Sequence, residues 1–383
     1  MTILTWSAAL TLLLWSVLAL DIMTGNRRVR GLRELSPRLP KTVPRVSVIV
    51  AARNEARNIR TALSSLLRLS YPDYELIVVD DRSDDGTGAI LDDMATVDTR
   101  LQVIHVGSLP QGWLGKNHAL WRGAGAASGE LLLFTDADIV MEPTVLSRAV
   151  HLLLAERLDH LAVSPSMTMP TLFLQMFGAS FIIFFSLFAR PWKARDPKSP
   201  CHVGIGAFNL VRGSAYRAVG GHETIRLRPD DDMKLGKILK RGGCRCDVAY
   251  GPDFLSVEWY RSLGDAVRGL EKNAFSGCDY RVWFVLAGVL FHLAATVWPY
   301  LALFLTHGAT RGVYALVVLL LTLLVADCAT FHGSRRLYAA GFPLATLLFV
   351  WILLRTMVLN LAQGGIRWRG TFYPLDELKR NRV

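Results

Sequence analysis

Acids that follow short apolar runs are the residues of this chain with the most chemistry to offer. Asp136-Ala137-Asp138 comes directly after the apolar run Leu131–Phe134. Two carboxylates at i and i+2 in a turn can reach one cation, and hard divalent ions prefer such oxygens while keeping water or substrate phosphate in their shell. Taken alone, the pair also reads as a solvated Asp turn. Downstream, Asp230-Asp231-Asp232 follows Pro229 and opens a helix expected over Met233–Lys240. Acids at a helix N-terminus cap it or favour its dipole. Three in a row, beside Arg226 and Arg228, exceed that need. Two more polar groups, Arg53-Asn54-Glu55 and Asp80-Asp81, also follow apolar runs.

The elements that must position these groups alternate between residues 46 and 139. Strands are expected at Val46–Ala52, Glu75–Asp80, Leu101–Val106 and Glu130–Thr135, and helices at Glu55–Leu69, Gly88–Val97 and around His118–Ala126. This is the pattern of a doubly wound α/β sheet, whose ligands bind beyond the carboxyl ends of the strands. Three polar groups at those ends converge on one edge, which favours a site over routine turn chemistry. A dinucleotide-binding reading fails because no GxGxxG follows the first strand. A P-loop fails because Gly115-Lys116 lacks the upstream frame.

Composition places this domain in a membrane protein. Of 383 residues, 51% are hydrophobic and 20% charged, with a mean hydropathy of +0.30. That excludes a disordered tail, a small disulfide scaffold and an ordinary soluble enzyme. Five scattered cysteines form neither a disulfide framework nor a zinc motif. The net charge of +11 sits beside apolar segments, as expected for a protein facing anionic lipid; a nucleic-acid partner is not expected.

Ile3 to Leu20 is uncharged and long enough to span a bilayer. Arg27, Arg28, Arg30, Arg33, Arg38, Lys41 and Arg45 follow, so the positive-inside rule puts the next domain in the cytoplasm. Apolar segments return at Val282–Thr306, Val313–Phe331 and Ala339–Leu354. Three full spans would leave the basic tail outside, against the same rule. A broken or re-entrant last segment, interrupted at Arg355, removes the conflict. In Thr171–Ala189, Phe173, Phe177, Phe181, Phe184 and Phe188 form one helical stripe. A crossing there would part the acids on either side, so an interfacial helix with its phenylalanines in lipid is expected. The resulting division is an anchor at 1–22, a basic linker at 23–43, a cytoplasmic catalytic domain at 44–280, a transmembrane or re-entrant region at 281–362 and a basic tail at 363–383.

In order, VSVIVAARNEARNI, ELIVVDDRSDDGT, GWLGKNHAL, LLFTDADI, GIGAFNLVRGSAYRAVGGHE and DDDMKLG resemble an inverting GT-A glycosyltransferase of family 2. The layout resembles bacterial membrane members related to ceramide glucosyltransferases and hopanoid-associated transferases. The resemblance implies roles. Asn54, Glu55 and Asp81 would hold the base and ribose of a nucleotide-sugar, and Lys116 its diphosphate. Asp136 and Asp138 match the DxD motif, which binds Mg²⁺ or Mn²⁺. Asp232 matches the catalytic base, with Asp231 as runner-up. Gly204–Asn209, with Gly204 and Gly206 among them, would form a floor under the sugar and acceptor, and His222 lies near the acceptor edge, where a structural histidine reads equally well. The (Q/R)xxRW signature is imperfect at Gln363–Trp368, which has one residue too many. Arg268 and Lys272 take its place, either screening the diphosphate or anchoring the domain. The implied activity is metal-dependent hexosyl transfer from a nucleotide-sugar, a UDP-sugar by preference, to a membrane lipid hydroxyl at the cytoplasmic face of the cell membrane. The rivals are a processive polysaccharide synthase, which needs more spans, and an inactive scaffold, which has no need of intact acids.

Overall fold

The computed structural model describes residues 3–383; the first two residues of the expected anchor lie outside them. The chain forms two compact units, one of Met1–Arg28, Met167–Arg190 and Trp259–Lys379, the other of Val29–Ser166, Pro191–Glu258 and Arg380–Val383. Helix α1 (Ile3–Asn26) and the short strand β1 (Arg30–Gly31) come first. Alternation follows: β2 (Val46–Ala52), α2 (Ile59–Leu66), β3 (Tyr74–Asp81), α3 (Thr87–Val97), β4 (Leu101–Val106), α4 (Gly115–Ala126) and β5 (Leu131–Asp136). Next are β6 (Val140–Met141), α5 (Val145–Ala155), β7 (His160–Ser164), β8 (Ser166–Thr168) and α6 (Leu172–Ala189). Then come β9 (Asn209–Arg212), α7 (Gly213–Ala218), α8 (Gly221–Thr224), α9 (Asp231–Arg241), β10 (Cys246–Tyr250) and β11 (Leu255–Glu258). The last part holds α10 (Leu263–Gly277), α11 (Val282–Phe291), α12 (Trp298–Leu305), α13 (Gly308–Phe331) and α14 (Phe342–Ala362). A hairpin of β12 (Gly365–Trp368) and β13 (Thr371–Pro374), then α15 (Leu375–Arg380), closes it.

The α/β unit is built on an eight-stranded sheet in the order β1-β10-β7-β9-β5-β2-β3-β4. It is mixed: β9 runs antiparallel to both β5 and β7, while the other pairs are parallel. Val46, Val48 and Val50 join Ile59, Leu63 and Leu66 in the core on one face, and Ile49 joins Leu120 and Leu235 on the other. A strand buried on both faces reads as a continuous apolar run, which is how β2 appears in the sequence. Register pairs Ala51 with Asp136 and Ala52 with Asp80, so the polar groups after β2, β3 and β5 emerge side by side. Helix α2 starts later than the expected Glu55. The amides of Asn54, Glu55 and Ala56 instead donate to Ser83, Thr87 and Asp85, which holds this segment as a loop.

In the helical unit, α1 and α13 lie parallel. Thr5 and Ser7 bond Thr310 and Tyr314 at one end; Asn26 and Arg27 bond Cys328 and Asp327 at the other. Among the described residues, five helical stretches are long and apolar enough to cross a membrane: Ile3–Asn26, Leu172–Lys193, Val282–Leu305, Gly308–Phe331 and Arg336–Ala362. Two expectations are corrected here. The phenylalanine stripe does not point as a whole into lipid. Phe177 and Phe184 are buried, Phe184 stacks on Phe349 at 4.3 Å, and Phe181 meets Trp259 at 4.7 Å; of the five, Phe188 alone is exposed. Nor does Arg355 break the last segment. Helix α14 runs through it unbroken, because Arg355 pairs with Glu271 of α10 at 3.4 Å and lies over the Trp351 ring.

Candidate active site

Three acids in a row at the start of α9 divide three tasks. Asp230 is buried and bound to Arg228 at 3.2 Å and Lys234 at 3.4 Å, a fixture of the fold. Asp231 turns to Lys116, 3.2 Å away. Asp232 accepts from the Gly206 amide on Oδ2 at 2.9 Å and from its own helix, the Met233 amide, on Oδ1 at 2.7 Å. Helix α9 begins at Asp231, two residues before the expected start, so both acids sit in its first turn, where the dipole favours negative charge.

Lys116 comes from the N-terminal turn of α4 and reaches Asp136 at the end of β5 at 2.8 Å. Burial opposes its charge, but Asp136, Asp231 and Asp232 together more than offset that, and the ammonium is held more firmly protonated than usual. Asp232 moves the other way. Burial and then Asp231 raise it well above the usual carboxylate range, against the pull of Lys116. The cleft is lined by Lys116, Asp136, Gly206, Asn209, His222, Asp231 and Asp232, with Leu120, Phe134 and Thr135. Two glycines are dictated by close approach: a Cβ at Gly204 would lie 1.8 Å from the Asp232 carbonyl oxygen, and one at Gly206 2.5 Å from Asp136 Oδ2.

The neighbouring strand ends carry the other acids. Asn54 adopts a left-handed backbone (φ 56°), which asparagine tolerates, and its Oδ1 accepts from the Asp84 amide at 2.9 Å. Asp81 is buried and gripped by Arg82 at 2.8 Å, with Arg53 at 3.6 Å. Asp80 is bound to His105 and the Ser83 amide. Asp138 is raised to about 7, by burial first and then by the charges of Asp136 and Glu55. Among the described residues no group of three or more His, Cys, Asp or Glu is arranged to hold a metal ion. Asp136 and Asp138 nevertheless fit one. The charge of Asp136 adds to the proton affinity of Asp138, and a carboxylate held in that way is a donor that a hard divalent ion relieves, with water and phosphate completing its shell.

His222 lies under the cleft rather than at an open edge. It is 1% exposed, bonds Tyr216 Oη at 2.9 Å and packs edge-on against Phe134 at 4.8 Å. Burial and the Lys116 charge hold it neutral, its pKa lowered to about 3. Arg268 and Lys272 belong to α10 of the helical unit. Arg268 pairs with Asp265 at 2.7 Å, and Lys272 lies over the Trp368 ring at 4.4 Å. Two residues, one beside the cleft and one in it, escaped the sequence reading. Asn117 donates to the carbonyls of Ile225 and Arg228, tying α4 to the approach to α9; its place directly after Lys116 was the available signal. Asn209, the last residue of the floor expected from the resemblance, meets His160 across the sheet and lines the cleft beside Phe134, which resembles an ordinary core residue in sequence.

Residues 47–220 match the family profile described as glycosyl transferase family 2. The chain is 25% identical over 251 residues to 4,4'-diaponeurosporenoate glycosyltransferase of Staphylococcus haemolyticus, covering 62% of this chain and 63% of that protein. It is 21% identical over 340 residues to the enzyme of that name from Staphylococcus aureus, covering 87% and 89%. Among solved structures it resembles the mannosyltransferase PcManGT from Pyrobaculum calidifontis, determined with GDP-Man and Mn²⁺. The TM-score is 0.58 at 18% identity, over 90% of this chain and 99% of that one. That likeness is one of fold: a GT-A-like α/β architecture with a mixed sheet. The likeness to glycosyl transferase family 2 thus spans the segment from β2 to α7.

Proposed function

We propose that this chain is a membrane-bound inverting glycosyltransferase that moves a hexose from a nucleotide-sugar, by our reading a UDP-sugar, to the hydroxyl of a lipid. One observation carries the reading: Lys116, Asp136, Asp231 and Asp232 meet in one cleft beside the Gly206 amide. The staphylococcal relatives are named for a lipid-like acceptor, and the five apolar helices suit the same substrate class.

In this mechanism Asn54, Glu55 and Asp81 hold the base and ribose, and Lys116 exchanges its carboxylates for the diphosphate. Asp136 and Asp138 would hold Mg²⁺ or Mn²⁺, which when bound supplies positive charge at the leaving diphosphate. Asp232 takes the acceptor's proton. Its two amide bonds fix its direction, and its raised proton affinity suits a general base. A single displacement inverts the anomeric centre, so an α-linked donor gives a β-glycoside.

The basic residues after α1 support a cytoplasmic side for the α/β unit of a multi-pass protein. Helix α6 does not cross in this reading. Residues before and after it build one sheet, β9 lying between β5 and β7, so both its ends stay on one side. The test is transfer from labelled nucleotide-sugars to a total lipid extract by detergent-purified protein. Asp232→Asn should lower transfer about 10²–10⁴-fold while nucleotide binding persists. Transfer near the parent rate would overturn the assignment. Asp138→Asn should abolish metal-dependent turnover, and a chelator should do the same to the parent.

A further inference from the structure

We infer that α14, the last long apolar helix, does not cross the membrane but lies along its catalytic-side leaflet, presenting an apolar face to lipid. The inference rests on α1 crossing, as proposed above. The C-terminal end of α1 leads directly into the α/β unit and so marks the catalytic side. Because α13 lies parallel to α1, bonded to it at both ends, α13 must cross in the same direction and finish on the catalytic side.

The segment before it therefore runs outward. Residues 259–281 follow the α/β unit through α10, which carries Asp265, Arg268, Glu271 and Lys272 and is no span. Val282–Leu305 then crosses to the far side and α13 returns. The chain ends inside the α/β unit. Val383 packs against its core, and Asn381 bonds the Leu227 amide and the Thr224 carbonyl. Helix α14 thus begins and ends on the catalytic side. It is unbroken over 21 residues, with no reversal that would let it dip in and out.

Its surface agrees. One face packs on α6 and α10 through Ala345, Phe349 and Ile352. Leu344, Leu347, Trp351, Val358 and Leu361 are between 43% and 59% exposed, at spacings of three, four, seven and three, a single helical stripe. Arg355, costly in a spanning helix, is paired with Glu271. The threading also leaves Arg335, Arg336 and the tail's Arg367, Arg369 and Lys379 on the same side as the basic stretch after α1.

Single cysteines in a background with all five native cysteines replaced by serine test this in intact and lysed spheroplasts with a membrane-impermeant maleimide. Ala309→Cys should react in intact cells, Ser334→Cys and Thr371→Cys only after lysis. Reaction at 371 from outside, or none at 309, overturns the inference. As a second measure, nitroxides placed by Leu344→Cys and Leu361→Cys should report equal depth; a crossing helix would separate them by about 25 Å. Neither readout uses catalysis, so this inference and the transferase reading fail separately.

Discussion

A methyl group has no room at position 204, because it would fall 1.8 Å from the carbonyl oxygen of Asp232, a backbone atom fixed by the first turn of α9. Gly204→Ala should therefore displace the loop that carries Gly206 and free the Asp232 carboxylate. Transfer should drop about 100-fold, since misplacement by an ångström is enough for that, and the melting temperature in detergent should fall. The side chains beneath the cleft give a different kind of prediction. His160 and His222 are buried neutral, their pKa values lowered by burial to about 4 and about 3. In the unfolded chain each titrates near 6.5. Below that value the unfolded state binds more protons, so their contribution is complete above pH 6.5 and lost as pH falls toward 3 to 4. At pH 5 each costs about 2 kcal/mol. Melting temperature in detergent should decline through this window, and His222→Gln should flatten the decline.

Elements decide which of several identical residues does what, and there the sequence is legible only in part. Strand β2 stands out because central strands are apolar on both faces, and the bounds read from sequence match those observed. Strand β9, four residues long and antiparallel, lacks any such signature; its residues look like loop, and motif resemblance rather than any strand pattern points to Asn209, which reaches the cleft from it. The periodicity of α6 shows that its phenylalanines share a face, but periodicity cannot say whether the face meets lipid or Phe349. Likewise Asp230, Asp231 and Asp232 look alike until Arg228, Lys116 and Gly206 divide them. The tie between α4 and the approach to α9 is the element-scale feature most open to test. Asn117→Ala leaves two buried carbonyls without their donor, a loss of about 1–3 kcal/mol. It should lower both thermal stability and transfer, because Lys116 and Asp231 then lose their common frame; unchanged transfer would mean the frame is held elsewhere.

For the molecule as a whole, the chain enters the helical unit three times: at α1, at α6 and after β11. Helix α6 is an excursion from the middle of the α/β sequence, and its apolar face is covered by Trp259, Phe342 and Phe349 from later in the chain. A fragment of residues 29–258 keeps the sheet strands but strips that cover, exposing Phe177, Phe181 and Phe184. Burying a side chain of that size is worth about 1.5–3 kcal/mol, so the fragment should seek a bilayer even without α1 and the C-terminal helices. In a flotation gradient it should rise with liposomes and resist high salt. The same fragment with residues 172–189 replaced by a Gly-Ser linker should remain at the bottom in soluble form. If both fragments float, the α/β unit has a lipid surface of its own; if both stay down, α6 holds no membrane affinity without its partners, and its apolar residues serve internal packing alone.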